Sequence, residues 1–186
     1  MSGRIEASIP QCPVADKNGY PYIIHPLTDG IPEVEPEMLE EAAEWMAEVF
    51  PADADAILVP EAMGIPLAAA LSLKVGVPYS VIRKRSYGLP GEVHVRSKTG
   101  YSSSDLYING IRKGCKAVLV DDILSTGGTL EALAPAIRAA GAEISAVLTV
   151  FDKGSAKDRL ERDLGLTIRR MFVLSVENGR PNARRA

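Results

Sequence analysis

The sequence predicts an α/β protein, a central parallel sheet flanked by helices, on three observations. Short apolar runs alternate with helical patterns along the chain, as β-α-β units require. Val118, Leu119 and Val120 form an unbroken apolar run, the mark of a strand covered on both faces. Asp121-Asp122 follows at once, then a Ser/Thr/Gly-rich turn that opens a helical segment, and open α/β sheets bind ligands at the carboxyl ends of their strands. A length of 186 residues with 46% hydrophobic content suits a single domain, 1–186, with its own core.

Residues 1–50 are expected to form an amino-terminal hood and a helix. In 37–50, Met38, Leu39, Ala42, Met46 and Val49 recur at helical spacing, with glutamates in the first turn where the helix dipole favours them. This helix is assigned to an amino-terminal subdomain rather than to the sheet. The core, 51–175, begins with a strand at 56–60 and a buried helix at 64–74 carrying Pro66 in its first turn. A second strand, 79–83, runs into Arg83-Lys84-Arg85. Beyond Gly88-Leu89-Pro90-Gly91, two alternating stretches, 92–98 and 105–109, read as a long, mobile hairpin lid over 84–110, because structureless loops of this length are usually lids or disordered. Strands at 116–121, 144–150 and 168–174 complete the sheet, and 130–140 is a helix closed by Gly141. The tail, 176–186, is polar and basic and is expected to fray from Asn178 onward.

Composition narrows the partners. A net charge of −3 and an isoelectric point near 5.5 provide no field for nucleic acid or membrane. Cys12 and Cys115 are isolated, which fits a reducing cytoplasm better than a disulfide framework. No apolar run approaches the ~18 residues of a membrane span, and no leader is visible near the start.

The chemistry concentrates at 121–129. Ser125, Thr126, Gly127, Gly128 and Thr129 place hydroxyls and backbone N–H groups at a helix start, where the dipole favours a phosphate dianion. A nucleoside-triphosphate loop would need Gly-Lys-Ser/Thr, and Gly128 is followed directly by Thr129. Carboxylates beside a phosphate cradle point to a sugar phosphate; the plainer alternative is a glycine-rich turn beside a solvated acidic pair.

The string Val-Leu-Val-Asp-Asp-Ile-Leu-Ser-Thr-Gly-Gly-Thr resembles the phosphoribosyl pyrophosphate (PRPP) motif of the type I phosphoribosyltransferases. The resemblance implies that fold, with Asp121 and Asp122 as the catalytic pair facing the ribose hydroxyls and 125–129 holding the 5′-phosphate. Mg2+ is implied as cofactor, carried in by PRPP rather than by a protein ligand cluster. Glu61-Ala62-Met63-Gly64 occupies the place of the family's pyrophosphate loop, with Met63 where adenine enzymes have arginine. Pyrophosphate is then assigned to Glu61, Ala62, Gly64, Arg83 and Lys84. The lid is implied to exclude water from an oxocarbenium-like centre, and a homodimer is the implied assembly.

A narrower likeness covers about residues 10 to 175. Arg83-Lys84-Arg85 with Leu89-Pro90-Gly91-Glu92 resembles adenine phosphoribosyltransferases. Thr99-Gly100-Tyr101-Ser102 with 106–110, and the hood stretch 22–32, resemble the archaeal hypoxanthine/guanine group. Lys153 matches a lysine that donates to O6 in 6-oxopurine enzymes, with Leu124 and Ile24 assigned beside the base. An ammonium suits an oxo group and meets the amino group of adenine unfavourably; otherwise Lys153 is an exposed turn residue. The implied reaction is salvage of hypoxanthine, and secondarily guanine, with PRPP. Adenine or xanthine transfer is the alternative within the family.

No acid stands at position 125, where many 6-oxopurine enzymes have one, so Asp29, Glu61, His25 or water remain as proton acceptors, with His25 read first as a hood residue. That gap also leaves open a non-catalytic PRPP-sensing regulator, although no helix-turn-helix pattern or basic domain accompanies it.

Overall fold

The computed structural model describes residues 3–17, 19–98, 103–154 and 156–186. Helix α1 (Arg4–Ser8) and a 3-10 turn (Ile9–Gln11) lead into an antiparallel ribbon, β1 (Val14–Lys17) and β2 (Tyr20–Ile23), and then into the single turn α2 (Pro26–Asp29). Helix α3 (Pro36–Glu48) follows with proline at its start, and β3 (Ala56–Pro60), α4 (Gly64–Val75) and β4 (Tyr79–Ile82) form a parallel unit. The hairpin β5 (Val93–Lys98) and β6 (Ser103–Ile108) precedes β7 (Lys116–Leu124), α5 (Gly128–Ala139), β8 (Glu143–Asp152), α6 (Lys157–Leu164), β9 (Ile168–Glu177) and β10 (Arg180–Arg185).

The main sheet has the order β10-β9-β8-β7-β3-β4, parallel except for the last pair, β9 with β10. Side chains alternate across its pleat. On β7, Val118 and Val120 enter one apolar cluster with the hood, α3 and α4, while Ala117 and Leu119 enter the other with α5 and the hairpin. Both faces are covered, which is why these strands read as continuous apolar runs.

Four expectations are corrected. The segment from Asn178 does not fray: Asn178 (φ 51°) and Gly179 (φ 74°) make a two-residue turn, and Arg180 to Arg185 pair with β9. Two positive φ angles at Asn-Gly mark the hairpin turn whose twist matches its strands. β7 runs past its expected end at Asp121 and continues through Leu124, so both carboxylates lie inside the strand; Ile123 and Leu124 still pair with Phe151 and Asp152. β3 pairs with β7 only as far as Leu119, and beyond it the turn into α4 comes close to Asp121 at Gly64. Helix α3, expected in a separate amino-terminal subdomain, buries Met38, Ala42 and Met46 in the same cluster as Ile57 and Val59 of the sheet. The hairpin stem is anchored, because Val95, Leu106 and Ile108 are buried with Leu130 and Leu133 of α5, and residues 99–102 lie outside the described residues.

Candidate active site

β7 delivers the chain to a cradle built by backbone rather than by a capping side chain. Gly127 caps α5 at φ 85°, and a Cβ there would stand 2.7 Å from Leu160 Cδ1 of α6. Only glycine fits both the left-handed backbone and the contact. The Glu131 N–H is bonded to Gly127 O at 3.0 Å, and the amides of the preceding turn have no intrahelical carbonyl to reach. Thr126 is exposed and Ser125 half-buried. Arg159 braces the loop from α6: its Nη2 donates to Thr126 O at 2.9 Å, and its guanidinium is paired with Glu131. The Ser125–Thr129 segment therefore presents the dipole end of α5 to an anion.

Asp121 and Asp122 are half-buried side by side, and Asp121 Oδ1 accepts the Asp122 N–H at 3.0 Å. Burial pushes both carboxyls up, and for Asp122 the neighbouring carboxylate adds to the shift; Lys84 offsets part of it for Asp121. Burial and mutual proximity disfavour the ionised pair, a state that sugar hydroxyls and a hard cation would relieve. Among the described residues no cluster of three or more His, Cys, Asp or Glu could hold a metal by itself.

Glu61, Ala62 and Gly64 lie at the turn from β3 to α4, beside Asp121. A Cβ on Gly64 would meet Val59 Cγ2 at 2.7 Å and Asp121 Cα at 3.5 Å, so this close approach also requires glycine. The Glu61–Ala62 peptide is cis. Glu61 Oε2 pairs with Arg83 Nη1 at 3.1 Å and Oε1 accepts the Lys84 N–H at 2.7 Å, which brings the two basic residues to this turn. Arg83 is also tied by backbone to Tyr107 of the hairpin. Its Nε is buried without a partner among the described residues. Met63 does not replace the arginine's charge; its side chain lies toward Gly30 of the hood.

Lys153 follows β8, its N–H bonded to Leu124 O at 2.9 Å. Its Nζ lies 5.0 Å from the Tyr22 ring centroid, and Lys17 Nζ lies 3.4 Å from the same centroid. Burial, then the charge of Lys17, lowers the Lys153 pKa, with Asp29 acting the other way. A cleft of about 250 Å³ between β2 and β9 is lined by Pro21, Ile23, Lys153, Leu174, Ser175 and Val176. Leu124 and Ile24, assigned to the base, are not in that lining. Leu124 is buried in the α5-side cluster and meets Lys153 through its carbonyl, and Ile24 is held by a bond to Pro13 O. The cleft residues of β9, buried Leu174, exposed Ser175 and half-buried Val176, went unassigned because nothing in that short alternating stretch marks it as the wall of a cleft.

The three candidate proton acceptors are committed elsewhere. Asp29 accepts from Tyr22 Oη at 2.7 Å, Thr28 Oγ1 at 2.6 Å and His25 N at 3.1 Å. His25 is buried, with Nδ1 accepting from Leu27 N and Nε2 bonded to Ser8 Oγ, and burial lowers its pKa to about 4. Glu61 is paired as above.

The model of the phosphoribosyl transferase domain matches residues 33–169 of the chain. The chain belongs to the phosphoribosyl transferase family. A relative from Methanobacterium paludis named hypoxanthine/guanine phosphoribosyltransferase is 46% identical over 180 residues, 97% of this chain and 95% of its own. One of the same name from Methanococcus maripaludis is 41% identical over 182 residues, 98% of each. Among solved structures, adenine phosphoribosyltransferase from Thermoanaerobacter pseudethanolicus superposes with a TM-score of 0.72 at 21% identity, covering 90% of this chain and 98% of its own, which establishes the type I fold. Among the described residues, no helix is long and apolar enough to cross a membrane.

Proposed function

We propose that this phosphoribosyltransferase is a purine-salvage enzyme moving the 5-phosphoribosyl group of PRPP to N9 of hypoxanthine, and of guanine, to give IMP or GMP and pyrophosphate. The observation that carries the reading is the placement of Lys153 beside the cleft, with its backbone bonded to the same strand that bears Asp121 and Asp122. Relatives 41–46% identical over nearly the whole chain carry the hypoxanthine/guanine name, which supports it independently.

In this reading the α5 cradle binds the 5′-phosphate and Asp121 and Asp122 accept from the ribose hydroxyls. Glu61, Ala62, Gly64, Arg83 and Lys84 face the pyrophosphate, and Lys153 donates to O6. The C1′–O bond to pyrophosphate breaks as the N9–C1′ bond forms, and with Asp29, Glu61 and His25 committed, the N–H proton leaves to water. Positioning and charge complementarity then supply most of the acceleration. Mg2+ is the cofactor this reading calls for: the hard oxygens of Asp121 and Asp122 suit it, and it supplies charge neutralisation on PRPP. A cytoplasmic homodimer belongs to the same proposal. Lys153→Gln tests it: use of hypoxanthine and guanine falls at least about tenfold, the scale of a lost charged hydrogen bond, while the PRPP KM holds. An unchanged base preference refutes the 6-oxopurine assignment.

A further inference from the structure

Lys153 is held by more than its own strand. Asp152, the last residue of β8, is completely buried, and its Oδ1 accepts the Gly154 N–H at 2.7 Å. Its other oxygen is paired with Arg170 Nη1 of β9. Since the Lys153 N–H is bonded to Leu124 O at 2.9 Å, the backbone is fixed at Lys153 and again one residue later. The next strand is fixed in turn from α6, where Glu161 Oε1 accepts the Ile168 N–H at 2.9 Å and the other oxygen is paired with Lys157.

A buried ion pair is a poor stabiliser, because the cost of removing two charges from water offsets their attraction. An apolar pair of the same volume would hold two strands as well, so what the charged pair adds is direction: Asp152 must present one oxygen to Arg170 and the other to the turn. A lysine has a compact charge on a flexible stem, and the site its ammonium reaches depends on where the stem begins. We propose that the Asp152–Arg170 pair is a positioning device that sets the Lys153 ammonium against the purine 6-substituent and so takes part in choosing an oxo over an amino base. This inference rests on the assignment of Lys153 to the base. Asp152 and Arg170 touch no reacting atom.

The test is steady-state kinetics on the full chain with PRPP and either hypoxanthine or adenine. Asp152→Asn and Arg170→Met each raise the hypoxanthine KM about tenfold, within the range a roughly 1 Å misplacement produces. Each also narrows the preference for hypoxanthine over adenine, while kcat and the PRPP KM stay within about twofold. Arg170→Lys, which keeps the charge, retains the wild-type base KM within about twofold, a rescue that simple loss of packing would not give. If Asp152→Asn fails to fold, the Arg170→Met and Arg170→Lys comparison decides alone. Lowered melting temperatures with an unchanged hypoxanthine KM and unchanged preference overturn the positioning role. If those variants are silent while Lys153→Gln shifts the base preference, only the positioning inference falls. If Lys153→Gln is silent too, the base assignment falls with it.

Discussion

Gly127→Ala tests whether the phosphate cradle is built as described. At φ 85° a residue with a Cβ is strained by about 1–2 kcal/mol. The new methyl would lie 2.7 Å from Leu160 Cδ1, a side chain with no exposure to yield into, which adds about 1–3 kcal/mol of overpacking. The total, about 2–5 kcal/mol, lowers the melting temperature by ~2–4 °C for each kcal/mol in a domain of this size. The loop also shifts to escape the contact, so the PRPP KM rises about tenfold or more while the base KM changes little. The two parts separate in a double-mutant cycle. Leu160→Ala alone costs about 2–5 kcal/mol as a buried truncation, yet it removes the atom that the alanine methyl meets. The double variant is then more stable than the sum of the singles by about 1–3 kcal/mol. Denaturant unfolding of the four proteins, with PRPP saturation curves on each, gives both readings. A Gly127→Ala protein with wild-type midpoint and PRPP KM, or a strictly additive cycle, would refute the construction.

Three further outcomes follow from the same geometry. Asp121→Asn with Asp122→Asn abolishes turnover but leaves the unliganded fold intact and more stable at neutral pH. The raised carboxyl pKa values mean the native state holds protons more tightly, so the pair's burden appears as pH rises above the ordinary carboxylate range; full activity would sink the PRPP assignment. His25 titrates the other way: a pKa lowered from an ordinary 6.5 to about 4 makes the native state bind fewer protons. Its contribution, at most about 3 kcal/mol, is present above pH ~6.5 and lost as pH falls toward 4, so His25→Asn flattens the stability profile in that window, as acid unfolding curves would report. Deleting 178–186 strips the ladder partner of β9, including the buried Pro181, and costs on the order of 2 kcal/mol in thermal unfolding; an unchanged midpoint would mean that the β9–β10 pairing contributes nothing in solution.

The parts legible in the sequence were those where local chemistry and fold demand coincide. The run Val118 to Val120 had to be apolar on both faces, and Ser125 to Thr129 combines glycines and hydroxyls at a helix start, so strand and cradle announce themselves. β10 was hidden by its composition, because arginines on an edge strand look like a solvated tail; they discourage edge pairing, and the Asn178-Gly179 turn was the available signal. Helix α6 is mostly charged with Leu160 as its buried residue. Its use, a side chain packed against Gly127 and an arginine on Thr126 O, depends on contacts 33 residues apart in sequence. Asp152 was equally unreadable, since its buried pairing with Arg170 exists only once β8 and β9 lie side by side. Where Leu124 and Ile24 sit was equally beyond the sequence: the first packs in the α5-side core and meets Lys153 through its carbonyl, and the second lies outside the cleft lining.

The measurement closest to the central claim is a product assay with PRPP, Mg2+ and, in separate reactions, hypoxanthine, guanine, xanthine and adenine, reading which nucleoside monophosphate forms. IMP and GMP are the predicted products. AMP alone would contradict the base assignment while keeping the transferase. No product with any base, despite PRPP binding, would contradict the enzyme itself and leave a sensor in its place.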